Sequence, residues 1–338
     1  MIVVDSTDDQ PPIAPARKYV GGYELGPLLG IGGMAEVFKA EYTPVRGARR
    51  TVVVKRVLPR HANNAEFTKL FVAEAKILGL LNHPNVIQAY DIGEADGALF
   101  MVLEYVDGPS IAQALETLRE LGREMPVAAA AHFAHEVCLA LDYVHNLKDG
   151  DGEPLNVIHR DVTPSNILLT KAGGIKLLDF GVAKYRASQV ETRQGLIKGK
   201  AAYLAPEALE VKPIDSRIDI FSLGIVLHEM LTLQSLFESD SYMLTFRKIL
   251  TLPIDPPSKT RPSVPPELDA IVMKALERDP ARRYQTAGEM ATELRRFVVD
   301  NGLPENWNGA FVRALGDLAP AVPRLVAQQA EQVAPDDR

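Results

Sequence analysis

Apolar and polar positions follow a strand period in the first third of the chain and a helical period through most of the rest. From Tyr23 the pattern is strand-like, and the apolar run Leu28 to Phe38 is interrupted by the glycine cluster Gly30-Ile31-Gly32-Gly33. A second strand is predicted from Thr51 to Val57. Phe67, Leu70, Phe71, Ala75, Leu78 and Leu81 then recur at helical spacing and predict an amphipathic helix over 67–81. Two further strands are predicted, Val86 to Asp91 and Leu99 to Tyr105, joined through Gly93 to Gly97. Helical patterns follow over 111–121, 127–146 and 218–233. Between the last two lies VIHRDVTPSNILLTKAGGIKLLDFG, residues 157–181. Its short apolar runs, Ile167 to Leu169 and Ile175 to Leu178, flank Gly173-Gly174 and predict a hairpin.

That hairpin would bring Asp161, Asn166 and Asp179 to one end of the strand pair, facing one cleft. Two carboxylates and an amide suit Mg²⁺, which prefers oxygen ligands. One carboxylate can stay off the metal and accept a proton. Either acidic triplet alone also reads as a polar surface loop; both in order, at this separation, make that reading remote. Glycine lets backbone N–H groups approach phosphate oxygens with no Cβ in the way, although a glycine cluster by itself reads equally as a flexible turn. Glu74, taken alone, reads as part of a solvated helix face.

The set resembles the protein-kinase signature. His159-Arg160-Asp161 with Asn166 resembles the catalytic loop, and Asp179-Phe180-Gly181 the D-F-G triplet. Val52-Val53-Val54-Lys55 resembles the V-A-I-K strand, and Ala205-Pro206-Glu207 the A-P-E close of the activation segment. With GGMAEVF and the Gly-Lys pair before Tyr203, the chain is most similar to bacterial eukaryotic-like (Hanks-type) serine/threonine kinases. The resemblance runs from about Tyr23 to Val299. It implies an α+β, bilobal protein-kinase fold: a flexible tail over 1–22, a small β-rich lobe with one long helix over 23–105, a larger, mainly helical lobe over 106–299, and a helical extension or tail over 300–338. It implies ATP and Mg²⁺ as cofactors, protein substrates, and a homodimer for trans-autophosphorylation. Asp161 would be the base, with Lys55 on the α/β-phosphates, oriented by Glu74. Asn166 and Asp179 would hold the metal. Gly30, Ile31, Gly32, Gly33, Val37, Val53, Leu103 and Leu168 would line the nucleotide site, with Leu103 as gatekeeper and the backbone of Glu104 and Val106 reading the adenine edge. Asp219 would hold the catalytic-loop backbone, and Arg283 would pair with Glu207. Thr192, then Ser188, are the expected switch sites, with Arg160 and Lys184 available to a phosphate there. Glu229 hints at a basic residue near the acceptor.

Some positions depart from the family pattern. Ala35 replaces the third glycine of the loop, and Val53 replaces the alanine of V-A-I-K. The lysine usual two residues after the catalytic aspartate is Thr163, and the threonine usual after the activation-segment glycine is Lys200. This exchange suggests that Lys200 brings its ammonium to the γ-phosphate from the opposite wall, with Thr163 as its hydroxyl partner. Pro164 before Ser165-Asn166 resembles the serine/threonine class. Ala35, Val53 and Thr163 also allow a pseudokinase scaffold that binds partners without chemistry. A small-molecule phosphotransferase of related fold is a third reading, disfavoured by the long activation segment.

Composition adds bounds. The chain has 338 residues, 46% hydrophobic and 24% charged, enough for a sizeable core in a soluble globular protein. Its net charge of −7 argues against a nucleic-acid partner. Cys138 is the only cysteine, so no intrachain disulfide forms. No membrane span is expected: the best apolar stretch, 220–233, is interrupted by His228 and Glu229. The first residues lack a signal-peptide pattern, which points to the cytoplasm. Trp307 and Phe311 suggest that the extension docks on the large lobe.

Overall fold

The computed structural model describes residues 19–44, 47–62, 64–180, 199–210 and 213–302, together with 311, 312 and 315. Lys184, Ser188, Thr192, Gly181 and Trp307 lie outside the described residues.

The small lobe is a six-stranded antiparallel sheet built from β1 (Tyr19–Val20), β2 (Tyr23–Ile31), β3 (Ala35–Tyr42), β4 (Arg50–Val57), β5 (Ala89–Ala95) and β6 (Ala98–Glu104). The spatial order is β1-β2-β3-β4-β6-β5. The sheet therefore begins inside the expected tail, with Val20 opposite Tyr23. Strand alternation sorts β4 into two faces. Val52 and Val54 join Val20, Tyr23, Ala40, Phe100 and Val102 in a minor core. Val53 and Lys55 face the other way, where Val53 packs on the main core and Lys55 reaches the large lobe.

The β5 prediction needs correction at both ends. Strand β5 runs through Gly93 to Ala95, and the turn is the pair Asp96-Gly97, with φ of 53° and 71°. Two left-handed residues suit the tight turn between right-twisted strands. Gly93 has a packing reason instead: a Cβ there would lie 2.7 Å from the Phe100 ring. At the other end, Val86 and Ile87 do not begin β5. They pair with Leu177 of the large lobe, through a parallel bridge and the bond Ile87 N–H to Leu177 O (3.0 Å).

Helix α1 (Ala65–Leu80) starts two residues before the apolar period because Asn64 caps it, accepting the N–H groups of Glu66 and Phe67. Leu70, Phe71, Ala75 and Leu78 are buried as expected, and so is Glu74, at 3% exposure.

The large lobe comprises α2 (Ile111–Glu120), α3 (Val127–His145), the hairpin β7 (Ile167–Leu169) and β8 (Ile175–Leu177), α4 (Pro206–Leu209), α5 (Arg217–Thr232), α6 (Tyr242–Thr251), α7 (Pro257–Thr260), α8 (Pro266–Ala275) and α9 (Ala287–Asp300). Ser110 and Gln113 form a capping box on α2. Helix α5 is buried along its length after Arg217, as its all-round apolar sequence requires. Helix α3, rather than 220–233, is the described helix long and apolar enough to cross a membrane by length and composition. Eleven of its residues, including Cys138, are buried in this lobe. Val312 and Leu315 join the same core.

The two lobes meet where the chain leaves β6. Gly108 passes so close to β7 that a Cβ would sit 1.8 Å from Leu169 O. The adjoining bond, Leu169 N–H to Pro109 O (2.8 Å), fixes the crossing.

Candidate active site

The loop that carries Asp161 is held from beneath by Asp219, a fully buried carboxylate in the first turn of α5. Asp219 accepts the backbone N–H groups of His159 and Arg160, each at 2.8 Å, and a bond from His145 Nε2 at 2.8 Å. Burial alone would raise the Asp219 pKa, but the bond and charge of His145, with His159 and the Arg160 amide, hold it below the ordinary carboxylate value. Arg160 has φ of 66°, a left-handed conformation over-determined by this anchor. His159 is also fully buried. Its Nε2 lies 2.7 Å from Leu178 O, which can only accept, and its Nδ1 lies 3.2 Å from Asp161 N–H, which can only donate. These partners fix a neutral imidazole with the proton on Nε2. Burial lowers its pKa in the same sense. The Phe180 ring packs on it, centroids 4.7 Å apart.

The β7–β8 hairpin does bring the polar groups together. Asn166, immediately before β7, donates from Nδ2 to Asp161 Oδ2 (2.6 Å) and to Asp161 O (2.8 Å). Leu178 N–H, just after β8, donates to Asn166 O at 2.8 Å. The next residue, Asp179, turns with φ of 44°, and its Oδ1 meets Lys55 Nζ at 2.8 Å. Lys55 Nζ also meets Glu74 Oε1 at 2.8 Å. One ammonium thus joins β4, α1 and the end of the hairpin. Burial would favour the neutral amine, but the carboxylates of Asp179 and Glu74 outweigh it and hold Lys55 protonated.

Lys200 is delivered by Gly199, whose φ of 107° suits glycine, and it heads a short 3₁₀ turn, 200–203. Its Nζ donates to Asp161 Oδ2 at 3.1 Å. Among the described residues the Thr163 hydroxyl, which is buried, has no hydrogen-bond partner. The expected Lys200–Thr163 hydrogen bond is therefore absent, because the ammonium is drawn to the carboxylate, a stronger acceptor than a neutral hydroxyl.

Gly30 and Ile31 end β2, and Gly32 and Gly33 lie in the turn before β3. None of these glycines has positive φ, and a Cβ on Gly30 or Gly33 would meet nothing within 4 Å. The protein itself does not demand glycine here, which fits a loop whose backbone is approached by a ligand. Val37, Val53 and Leu168 are half-buried, and Leu103 closes the back as a buried side chain. Glu104 N–H is taken by Gln88 O (2.9 Å), and its carboxylate by Lys176 (2.9 Å), so that N–H is not the group that meets a ligand edge at this point. Asn166 and Asp179 offer an amide and a carboxylate oxygen, a hard donor set that fits Mg²⁺ shared with phosphate oxygens.

A model of the family described as Protein kinase domain matches residues 23–294. The chain belongs to the protein kinase family. It is 38% identical over 307 residues to the tyrosine-protein kinase MasK of Myxococcus xanthus, covering 90% of this chain and 46% of MasK. It is 37% identical over 289 residues to the serine/threonine-protein kinase PknB of Mycobacterium tuberculosis, covering 83% of this chain and 43% of PknB. The chain thus spans less than half the length of these relatives. The crystal structure of the Mycobacterium tuberculosis PknI kinase domain superposes with a TM-score of 0.61 at 25% identity, over 84% of this chain and 99% of that one.

Two arrangements in this kinase frame the site. Arg283 and Glu207 form a buried bidentate pair, with Nη1–Oε1 at 2.6 Å and Nη2–Oε2 at 2.7 Å. Glu229 is buried and internally committed: Oε1 accepts from Arg119 Nη2 (2.7 Å) and Oε2 from Tyr203 OH (2.5 Å). The hint that Glu229 takes a basic residue from a substrate is corrected accordingly. Sequence reasoning missed Arg119, which lies 110 positions from its partner and carries no local signal.

Proposed function

We propose that this chain is an ATP- and Mg²⁺-dependent kinase that transfers the γ-phosphoryl group to serine and threonine hydroxyls of proteins. The observation that carries the reading is the double ion pair of Lys55 with Glu74 and Asp179, set beside Asp161 and Asn166. An ammonium fixed by two carboxylates suits the α/β-phosphates of ATP. Asp161, aligned by Asn166, orients the acceptor hydroxyl and takes its proton. Asn166 and Asp179 would hold Mg²⁺, which supplies charge neutralisation on the phosphates. Gly30, Gly32 and Gly33 cover the phosphates, and Ile31, Val37, Val53, Leu103 and Leu168 enclose the adenine, with the backbone of Glu104 and Val106 at its edge. Lys200 adds positive charge toward the γ-phosphate, and Thr163 lines that wall. Autophosphorylation of the segment holding Thr192 and Ser188, in a transient homodimer, fits an A-P-E-closed loop of this length. An ATP-consuming reaction suits the cytoplasm.

Radiolabel transfer from Mg-ATP to a generic protein substrate, followed by phosphoamino-acid analysis, tests the reading. Phosphoserine and phosphothreonine are expected, with Asp161→Asn reducing transfer by about 10²–10⁴-fold and Asp179→Ala abolishing it. Likeness to MasK favours tyrosine as the second acceptor reading, and phosphotyrosine alone would decide for it. ATP binding with no transfer to any acceptor would decide for the scaffold.

A further inference from the structure

Building on the kinase reading, we propose that His61 is a positioning residue for the nucleotide. It holds the carbonyl of Gly33 at the tip of the glycine loop, and so presents the loop's N–H groups to the ATP phosphates.

The ladder between β3 and β4 runs out at this loop. Ala35 stands opposite Val57, and one further bond, Leu58 N–H to Met34 O (2.9 Å), extends the pairing. Gly32 N–H closes the turn on Ala35 O (2.7 Å). Among the described residues no backbone group bonds to Gly33 O. A side chain does so instead. Past Leu58 the chain enters the one-turn 3₁₀ helix Pro59–His61, with Pro59 at its start, where a missing N–H costs nothing. That turn delivers the His61 ring, whose Nε2 lies 3.1 Å from Gly33 O. The ring is backed by Phe67 in the first turn of α1, with centroids 4.3 Å apart. The tip of the loop and the start of α1 are therefore joined through one imidazole.

The peptide between Gly33 and Met34 is trans, so its C=O and N–H point in opposite directions. Drawing Gly33 O toward His61 turns the Met34 N–H away from the β4–α1 connection. Among the described residues neither Gly33 N–H nor Met34 N–H makes a hydrogen bond. Two successive unpaired amides at a turn suit phosphate oxygens, provided their direction is fixed.

His61 Nε2 also lies 3.2 Å from Arg60 Nε. A carbonyl only accepts and a guanidinium N–H only donates, so this nitrogen cannot serve both at once. With its proton on Nε2 the ring holds Gly33. With the proton on Nδ1 it accepts from Arg60 and releases the loop. Glutamine escapes this choice, since its amide carries a donor and an acceptor side by side.

The experiment compares the parent with His61→Phe, which keeps a ring on Phe67 but has no donor, and with His61→Gln, which keeps one. Dissociation constants for Mg-ATP and for adenosine are measured by calorimetry. Amide exchange at Gly32 and Leu58 is followed by NMR in the nucleotide-free protein. His61→Phe is expected to weaken Mg-ATP by about 2–10-fold, the range of one net hydrogen bond, and to leave adenosine unchanged. The two amides should exchange faster by a similar factor. His61→Gln should match the parent in each measurement. Parent-like Mg-ATP affinity in His61→Phe would overturn the proposal, and so would an equal loss for adenosine or a glutamine variant no better than phenylalanine. Unchanged exchange at both amides would refute the hold itself. In a parent that binds Mg-ATP and transfers phosphate, these outcomes leave the kinase reading standing; a parent that binds no Mg-ATP would refute both.

Discussion

Substituting Glu207 by leucine should be among the most destabilising single changes in the large lobe. Arg283 is 2% exposed, and all five of its N–H donors are used. Two go to Glu207; the others reach Glu277 O (2.6 Å), Arg217 O (3.0 Å) and Arg278 O (3.1 Å). Removing the carboxylate leaves a buried guanidinium with only carbonyl dipoles around it, which costs about 3–5 kcal/mol. Arg283→Met inverts the problem: it strands the Glu207 charge and withdraws donors from three carbonyls, each worth about 1–3 kcal/mol when unpaired. Its loss should therefore equal or exceed that of Glu207→Leu. The double variant removes both charges, so its cost should fall short of the sum of the singles by about 2 kcal/mol or more. Urea unfolding followed by circular dichroism gives all three values. A Glu207→Leu loss below ~1 kcal/mol, or a double variant equal to the sum, would refute the view that this pair depends on mutual neutralisation.

Lys200→Thr should lower kcat by about 10²-fold, the usual worth of one pre-placed charge, and adding Thr163→Lys should restore part of it; parent-like turnover in the single variant would exclude a role for Lys200. Gly108→Ala should destabilise by about 1–3 kcal/mol through its clash with Leu169 O, read as a lower urea midpoint; an unshifted midpoint would contradict the close crossing. Stability should also fall on mild acidification. Burial holds His132, His159 and His228 below the ordinary value of 6.5, so the unfolded chain takes up protons near that pH while the folded chain resists them. Protons then favour unfolding, and the urea midpoint should drop from about pH 7 toward pH 5, with a shallower slope in His228→Asn. The depressed Asp219 adds a loss in the same direction only at lower pH, below the ordinary 3.8. A midpoint that rises on acidification would count against these assignments.

The catalytic loop and the hairpin were legible in the sequence because their parts are local: Asn166 lies five positions from Asp161, and the β7–β8 turn carries Asp179 back beside it. Lys55 and Glu74 were legible only as a pair on the family pattern, since a helix glutamate by itself reads as solvated. The β5 boundary is not legible in the sequence because a glycine has two physical uses. Gly93 reads as turn chemistry, whereas it makes room for Phe100, and the turn signal proper is the Asp96-Gly97 dipeptide. The Lys200 contact also went elsewhere than expected, since spacing shows that a lysine and a threonine have exchanged places but not which oxygen the ammonium prefers. The balance of Glu229 by Arg119 depends on two helices meeting, which no local pattern reports.

The segment that follows α1 has a mechanical consequence. Directly after the helix, Asn82 N–H binds Tyr143 OH, Asn85 Nδ2 binds Glu136, and Ile87 N–H binds Leu177 O, all in the large lobe. The C-terminal end of α1 is thus a fixed pivot, while at its other end Asn64 caps the helix and, among the described residues, makes no hydrogen bond to the large lobe. Any rocking of one lobe on the other must swing α1 about that pivot, so the reach of Glu74 toward Lys55 becomes a gauge of how far the cleft stands open.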